Sequence, residues 1–392
     1  MKPRPITDGV RMLATLDGDR RLFDALIPLP DGTSYNAYLV QGRDRVALLD
    51  TSDADRGHEL REALADVPRI DVVIAHHAEQ DHSGQLPWIL DRYPQAVALA
   101  TARGKGMLVD HLRIPETRVR AVADGETLDL GGKTLEFLHT PWVHWPETMC
   151  TWLREDRILF SCDFFGSHLA TTDVFVKDEA RVLDAAKRYY AEIMMPFRAA
   201  IQRNLEKLKR LDLSMIAPSH GPVYGRPAPI LDAYRDWVSD RVRNLVVLPW
   251  VSMHGSTARL VRRLVDELAD RGVAVEPFDM TAVDLGRLAT ALVDAATLVV
   301  GTPTVLVGPH PAVIYAAALA NALKPKLRHA AVVGSYGWSG KAVEQIAALL
   351  PDLKVEVLGT VLCKGLPQEA DYQAVARLAG TIAEKHRALG LA

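Results

Sequence analysis

The chain has 392 residues, 48% of them hydrophobic and 24% charged, with a formal net charge of -3. That length exceeds one ordinary domain and suits two cores, and the composition excludes both a disordered chain and a fibrous repeat. The near-neutral balance gives no reason to expect a nucleic-acid partner, whose binding draws on Lys and Arg neutralising phosphates; Lys207, Lys209 and Arg210 lie beside Glu206, and Arg259, Arg262 and Arg263 beside Asp266, as on solvated helix faces.

The stretch Met1 to Leu16 lacks the apolar core of a signal peptide, and the most apolar later stretch, Leu288 to Val307, is interrupted by Asp294 and Pro303, so no membrane span is expected. From Gly9 to about Leu138, β-rich runs such as Tyr35–Val40, Val46–Leu49 and Val72–Ala75 alternate with helical stretches such as Glu59–Ala65 and Leu86–Tyr93. Strands are then predicted at Thr134–Leu138, Thr148–Leu153 and Ile158–Ser161, a long helical region at Glu179–Leu211 and a short strand at Ser214–Ala217. This mixture suits two sheets flanked by helices. A helix-like connector after Pro227 and Pro229 runs through Arg243, where the pattern changes to a regular strand, loop, helix alternation. The boundary is placed there, giving domains 1–243 and 244–392. Strands at Asn244–Val251, Val273–Asp279, Thr297–Gly301, Ala330–Gly334 and Lys354–Thr360, with a last helix toward Leu389, predict a doubly wound parallel sheet with its ligand at the carboxyl ends. Cys150, Cys162 and Cys363 form no Cys-x-x-Cys pair, so neither a disulfide framework nor an iron–sulfur centre is expected, and a reducing, cytoplasmic compartment fits.

The most informative segment is His76-His77-Ala78-Glu79-Gln80-Asp81-His82-Ser83-Gly84, on a loop at the end of a buried strand. His77, Glu79, Asp81 and His82 crowd imidazole and carboxylate together in a way that suits a metal site better than a core, where unpaired carboxylates are costly. Three more pieces fall where strands should end: Pro141-Trp142-Val143-His144-Trp145-Pro146, Ser161-Cys162-Asp163-Phe164-Phe165-Gly166 and Ala217-Pro218-Ser219-His220-Gly221-Pro222. At these residues the chain resembles the metallo-β-lactamase fold, an αββα sandwich, and more narrowly the flavodiiron proteins, also called A-type flavoproteins. In that family His-x-Glu-x-Asp-His replaces the His-x-His-x-Asp-His of zinc hydrolases. The resemblance implies that His77, Glu79 and His144 hold one iron, that Asp81, His82 and His220 hold the other, and that Asp163 bridges them. Glu79, Asp81, Asp163 and one bridging hydroxide balance two ferrous ions, and the extra carboxylate favours iron over zinc. His76, His139 and His168 match no motif position and read as neutral, hydrogen-bonded neighbours. Tyr189, Tyr190, Met194 and Met195 read as core packing on the long helix.

In the second domain, Ser252-Met253-His254-Gly255-Ser256-Thr257 leads from a strand into the helix Ala258–Arg271. Hydroxyls and a glycine at a helix N-terminus make a phosphate cradle. The Gly-Lys-Ser/Thr of a P-loop and the Gly-x-Gly-x-x-Gly of dinucleotide binders are both missing, which points to a mononucleotide flavin, FMN. Two later loops, Gly301–Gly308 and Gly334–Gly340, resemble flavodoxin ring-binding loops. The resemblance implies that Thr302, Pro303, Thr304, Val305 and Leu306 grip the ring from one side and Ser335, Tyr336, Gly337 and Trp338 from the other. Val305 and Leu306 stand where many relatives carry an aromatic and an amide, and His254 replaces a frequent tyrosine.

A two-electron flavin and a diferrous pair hold the four electrons that take dioxygen to water, and coupling two nitric oxides to nitrous oxide needs two. The resemblance implies such an oxidoreductase, fed by an external donor (a rubredoxin, another small carrier or a reduced deazaflavin) and assembled as a head-to-tail homodimer or a dimer of dimers. One rival is a zinc-dependent hydrolase carrying a flavodoxin-like domain, against which Glu79 argues. Another is a non-catalytic flavin electron carrier or redox sensor, against which the complete ligand set argues.

Overall fold

Strands, helices and side-chain contacts are taken from a computed structural model, which describes residues 2–338 and 341–391. Two compact units divide the chain: one runs to Tyr190 and includes Phe197–Val238, the other comprises Ala191–Pro196 and the residues from Ser239 onward.

The first unit stacks two sheets. One has the order Arg4–Thr7, Val10–Asp17, Thr33–Gln41, Val46–Leu49, Val72–Ile74, Val97–Ala100, Val119–Ala121; the other has Thr127–Asp129, Thr134–His139, Met149–Leu153, Ile158–Cys162, Met215–Pro218. Strand Thr33–Gln41 explains the layering. Its alternate residues Ala37 and Leu39 pack toward helices Gly57–Ala63, Leu86–Arg92 and Ala102–Leu112, while Tyr38 and Val40 join Phe137, Met149 and Phe160 between the sheets. Period-two alternation with both faces covered buries nearly the whole strand. Tyr38 also donates its hydroxyl to the Pro218 carbonyl at 2.6 Å, tying one sheet to the other.

The long helix expected over Glu179–Leu211 is instead two helices, Glu179–Tyr189 and Arg198–Leu208, separated by a wide turn at Tyr190–Met194 and a tight one at Met195–Phe197. Pro196 lacks the N–H that a continuous helix needs there. The connector helix likewise spans only Ala228–Trp237, and Arg243 opens a strand, its N–H donating to the Asp294 carbonyl at 2.7 Å.

The second unit has a parallel sheet ordered Ala274–Asp279, Arg243–Trp250, Ala295–Val305, His329–Tyr336, Glu356–Lys364, that is 2-1-3-4-5 in chain order, as a flavodoxin-like sheet requires. Helices Ser256–Ala269 and Glu369–Ala388 bury Leu260, Leu264, Leu378 and Ile382 against Val246, Val299 and Val333. The third strand runs past the predicted end at Gly301 to Val305, then reverses at Leu306 and Val307, both at positive φ, to pair with Gly308–Pro309. Pro303 there lies opposite Ser335, so part of the predicted loop is sheet. Among the described residues no helix is long and apolar enough to cross a membrane.

Candidate metal centre and flavin cradle

Every piece of the metal constellation emerges from the end of a strand. After Val72–Ile74 the chain is anchored by His76, whose N–H and Nδ1 reach the two oxygens of buried Asp50 at 2.9 and 2.7 Å, while Nε2 meets Thr151 Oγ1 at 2.7 Å. A single helical turn, Gln80–Ser83, then places Glu79 at its cap and Asp81 and His82 inside it. Thr51 holds the turn by donating both its N–H and its hydroxyl to the His82 carbonyl. The loop bearing His220 is tied to the first sheet by Asn36, whose Nδ2 donates to the carbonyls of Pro218 and Gly221. Gly221 sits at φ +79°, and a Cβ there would lie 2.1 Å from Ser167 Oγ, so only glycine fits.

Four Nε2 atoms converge on three carboxylates. Asp163 faces both ways: Oδ2 is 3.5 Å from His77 and 3.4 Å from His144, and Oδ1 is 3.0 Å from His82 and 3.3 Å from His220. Glu79 Oε2 lies 3.0 Å from His77 and 3.2 Å from His144. Asp81 approaches His82 at 3.4 Å and His220 at 3.3 Å. The seven predicted side chains therefore fall into two groups, His77 with Glu79, His144 and Asp163, and Asp81 with His82 and His220.

The cage calls for positive charge. Both oxygens of Asp81 and of Asp163 are buried without a hydrogen-bond partner among the described residues, an arrangement that costs several kcal/mol if left so. Burial opposes protonation of the imidazoles, yet Glu147, Glu79 and Asp163 lift His77 to about 10, and Asp163 and Asp81 lift His220 to about 10. Against the same burial, Asp163 lifts His82 to about 9, as Asp163 and Glu79 do His144. The carboxylates of Glu79 and Asp163, also against burial, are held well below their usual range by the surrounding histidines. Divalent cations would supply that charge and leave the imidazoles as neutral lone-pair donors. The donors are nitrogen and oxygen only; Cys162 Sγ lies 3.7 Å from His82 Nδ1, but burial pushes its thiol well above the usual range, away from thiolate. Such a set suits iron.

Of the histidines set aside, His168 is buried, meets Thr33 Oγ1 at 2.9 Å and is held neutral by burial and by His220. His139 bonds the Val122 carbonyl at 3.1 Å. Sequence reasoning missed Glu147, whose Oε1 is 2.6 Å from His77 Nδ1; its signal was a carboxylate three residues past His144. Tyr189 is more than remote core packing, since its ring lies 4.7 Å from His168 and 5.7 Å from His220. Trp145 sets its ring 4.8 Å from His77, and Phe23, on the ribbon Leu22–Phe23, lies 6.4 Å from His220. No period in the sequence links Phe23 to this site.

In the second unit the loop after Arg243–Trp250 closes when Ser252 Oγ accepts the Gly255 N–H at 3.1 Å. Gly255 caps helix Ser256–Ala269 at φ +88° with no side-chain cap, so the first-turn N–H groups of a 14-residue helix remain available to an anion. The first and third predicted loops meet where Thr257 Oγ1 lies 2.9 Å from Ser335 Oγ. The second loop comes beside the third: a Cβ on Gly334 would lie 2.1 Å from the Thr302 carbonyl. The Thr302 hydroxyl is itself committed, donating to the Pro303 carbonyl and accepting from the His310 N–H. Thr304 Oγ1 is buried and without a partner among the described residues. Met253, Leu306, Val307 and Trp338 are exposed, Leu306 at 92% and Trp338 at 90%. Ser339 and Gly340 of the third loop lie outside the described residues. An uncapped helix end ringed by hydroxyls at the carboxyl edge of a 2-1-3-4-5 sheet fits a mononucleotide flavin.

Fold and site together define a class: a domain matching the family described as ODP family beta lactamase over residues 33–221, followed by one matching flavodoxin over residues 250–378. The chain is 34% identical to a coenzyme F420H2 oxidase of Methanothermobacter marburgensis, covering 90% of this chain and 91% of that one. It is 31% identical to a nitric oxide reductase of Moorella thermoacetica, over 91% and 92% of the two chains. Its structure matches that of rubredoxin oxygen:oxidoreductase from Desulfovibrio gigas with a TM-score of 0.96 over 100% of both chains, at 28% identity. The chain belongs to the flavodiiron family, the type A flavoproteins.

Proposed function

We propose that this chain takes electrons from an external donor through FMN to a pair of irons and there reduces dioxygen, nitric oxide or both. The observation that carries the reading is the two-sided Asp163, with each carboxylate oxygen facing a different pair of inward Nε2 atoms. On this reading His77, Glu79 and His144 hold one iron, Asp81, His82 and His220 the other, and Asp163 is shared. Direct ligation by His82 is supported by its Nε2, which points into the cage 3.0 Å from Asp163. When bound, the irons and flavin supply the electron storage and the open positions for the gas.

The chain's own residues position and insulate. Asp50, Thr51, Asn36 and Glu147 fix the ligand-bearing loops, and Phe23, Trp145, Tyr189 and His168 wall the cage with rings that keep bulk water from the carboxylates. In the domain from residue 244 onward, Ser252 to Thr257 hold the flavin phosphate. The backbone of Thr302 to Leu306 and of Ser335 to Trp338 holds the ring, with the Thr304 hydroxyl a free donor and that of Thr302 spoken for. Names of the relatives point to a reduced deazaflavin or a rubredoxin as donor. A homodimer, in which the exposed Met253, Leu306 and Trp338 are covered, suits the flavin edge. Anaerobic reduction followed by amperometric titration with each gas, with iron and flavin counted per chain, tests the reading. Rapid consumption of at least one gas by protein holding two irons and one FMN is expected; a protein holding two zincs and inert to both gases would refute it.

A further inference from the structure

Four imidazoles point Nε2 into the cage, and what His220, His82 and His77 carry on Nδ1 differs. His220 Nδ1 donates to the Ser34 carbonyl at 2.7 Å, and His82 Nδ1 faces the Cys162 thiol at 3.7 Å. Of these imidazoles, His77 is the one whose Nδ1 is seen to meet a carboxylate among the described residues: Glu147 Oε1 at 2.6 Å, with both side chains almost wholly buried. That carboxylate is committed to this contact. Oε1 also accepts the Ala78 N–H at 3.0 Å, while Oε2 is buried with no partner among the described residues, so no other cation shares the charge. The Glu147 carbonyl is pinned in turn by the Thr101 hydroxyl at 2.9 Å, which fixes the loop between His144 and the strand Met149–Leu153.

We propose that Glu147 is a positioning residue that makes the two halves of the cage unequal. It holds His77 in the Nδ1–H tautomer and strengthens its Nε2 as a metal donor, so that the His77, Glu79, His144 half grips its metal more tightly than the Asp81, His82, His220 half. The physical cause is the charge-assisted hydrogen bond: an anion on Nδ1–H pushes electron density toward Nε2, whereas a neutral carbonyl or thiol pushes less. Burial strengthens the effect, because little solvent screens the pair. Glu147 is not among the cage's seven side chains; it reaches the cage through His77 and through the Ala78 N–H beside it. This inference rests on the metal-holding reading above, and it adds a ranking of the two metals that the ligand set by itself does not give.

Two measurements test it. In the iron-loaded protein, release of the two irons to an excess of chelator is followed for the wild type and for Glu147→Gln. The wild type should release in two phases. In the variant the slower phase should accelerate about 10–100-fold, the usual cost of losing such a partner, while the faster phase stays put. In the wild type loaded with zinc(II) and labelled with 15N-histidine, the His77 Nδ1–H should appear as a strongly deshielded, slowly exchanging proton. In Glu147→Gln that proton should move upfield. A His77 Nδ1 without a proton, or equal acceleration of both phases in the variant, overturns the inference. If Glu147→Gln does not fold, the wild-type resonance decides alone. A wild type that binds no iron would instead overturn the reading beneath it.

Discussion

The metal cage and the flavin cradle are built by opposite means. The cage is made of side chains, seven of them from four strand ends, and each loop that carries them is fixed by a second buried bond, as Asp50 fixes His76 and Asn36 fixes the His220 loop. The cradle is made of backbone: uncapped N–H groups behind Gly255, a glycine-dependent strand approach at Gly334 and a hairpin whose tip, Leu306 and Val307, stands in solvent. A site of side chains is rigid before its ligand arrives because burial and hydrogen bonds over-determine it. A site of backbone ends is shaped by the sheet's topology and tolerates changes in the side chains around it, such as Val305, Leu306 and His254 here.

That contrast can be broken most sharply at Asp163. Asp163→Ala removes a group that faces all four histidines, so both metals should be lost together and gas consumption should fall by more than about a hundredfold, beyond the cost of an outer partner. Iron analysis beside a flavin spectrum checks it; flavin content should be unchanged. Gly221→Ala comes next. The new Cβ would meet Ser167 Oγ and sit at a φ that only glycine adopts freely, costing about 2–3 kcal/mol and displacing His220. Thermal unfolding should show the loss, and adding Ser167→Ala should recover the part owed to the hydroxyl, while the Ser167 carbonyl, 2.9 Å from the new Cβ, remains.

Gly255→Ala tests the other side of the comparison. No atom lies within 4 Å of the new Cβ, so only the positive φ is penalised, by about 1 kcal/mol, and FMN affinity should weaken about fivefold while iron stays bound. Fluorescence titration of the flavin-free protein measures it. The smallest effect is one of pH. His386, on the last helix, bonds Asn244 Oδ1 and Thr297 Oγ1 at 2.7 Å each, and burial, with repulsion from His329, lowers it from 6.5 to about 4. Between those values the unfolded chain binds more protons, so the stability this buried neutral imidazole contributes is full above about pH 6.5 and declines as pH falls toward about 4. Unfolding of the flavodoxin-like unit followed across that window should show the decline, and His386→Gln should flatten it.

The same contrast governs what the sequence disclosed. The His77 to His82 cluster, His144, Asp163 and His220 stood out in the sequence because metal chemistry demands particular side chains, and the structure gathers them into two groups, His77, Glu79, His144 and Asp163, and Asp81, His82 and His220. Alternation of apolar residues likewise disclosed the two-sheet unit and the 2-1-3-4-5 sheet. Glu147 and Tyr189 were not readable, since supporting a ligand requires only proximity, which the chain reaches here across 70 residues and through a helix break at Pro196. The extension of the third strand to Val305 was hidden by Pro303, a residue that argues against a strand interior and is tolerated beside the hairpin at the strand's end.

One carboxylate, Asp163, is expected to serve two metals. Mössbauer spectroscopy of the 57Fe-loaded, air-oxidised protein, with iron counted per chain, tests it most directly. Two irons per chain whose spins are coupled into a diamagnetic ground state are the predicted result, with neither iron retained in Asp163→Ala. A single iron per chain, or two uncoupled ferric ions in the wild type, would contradict it.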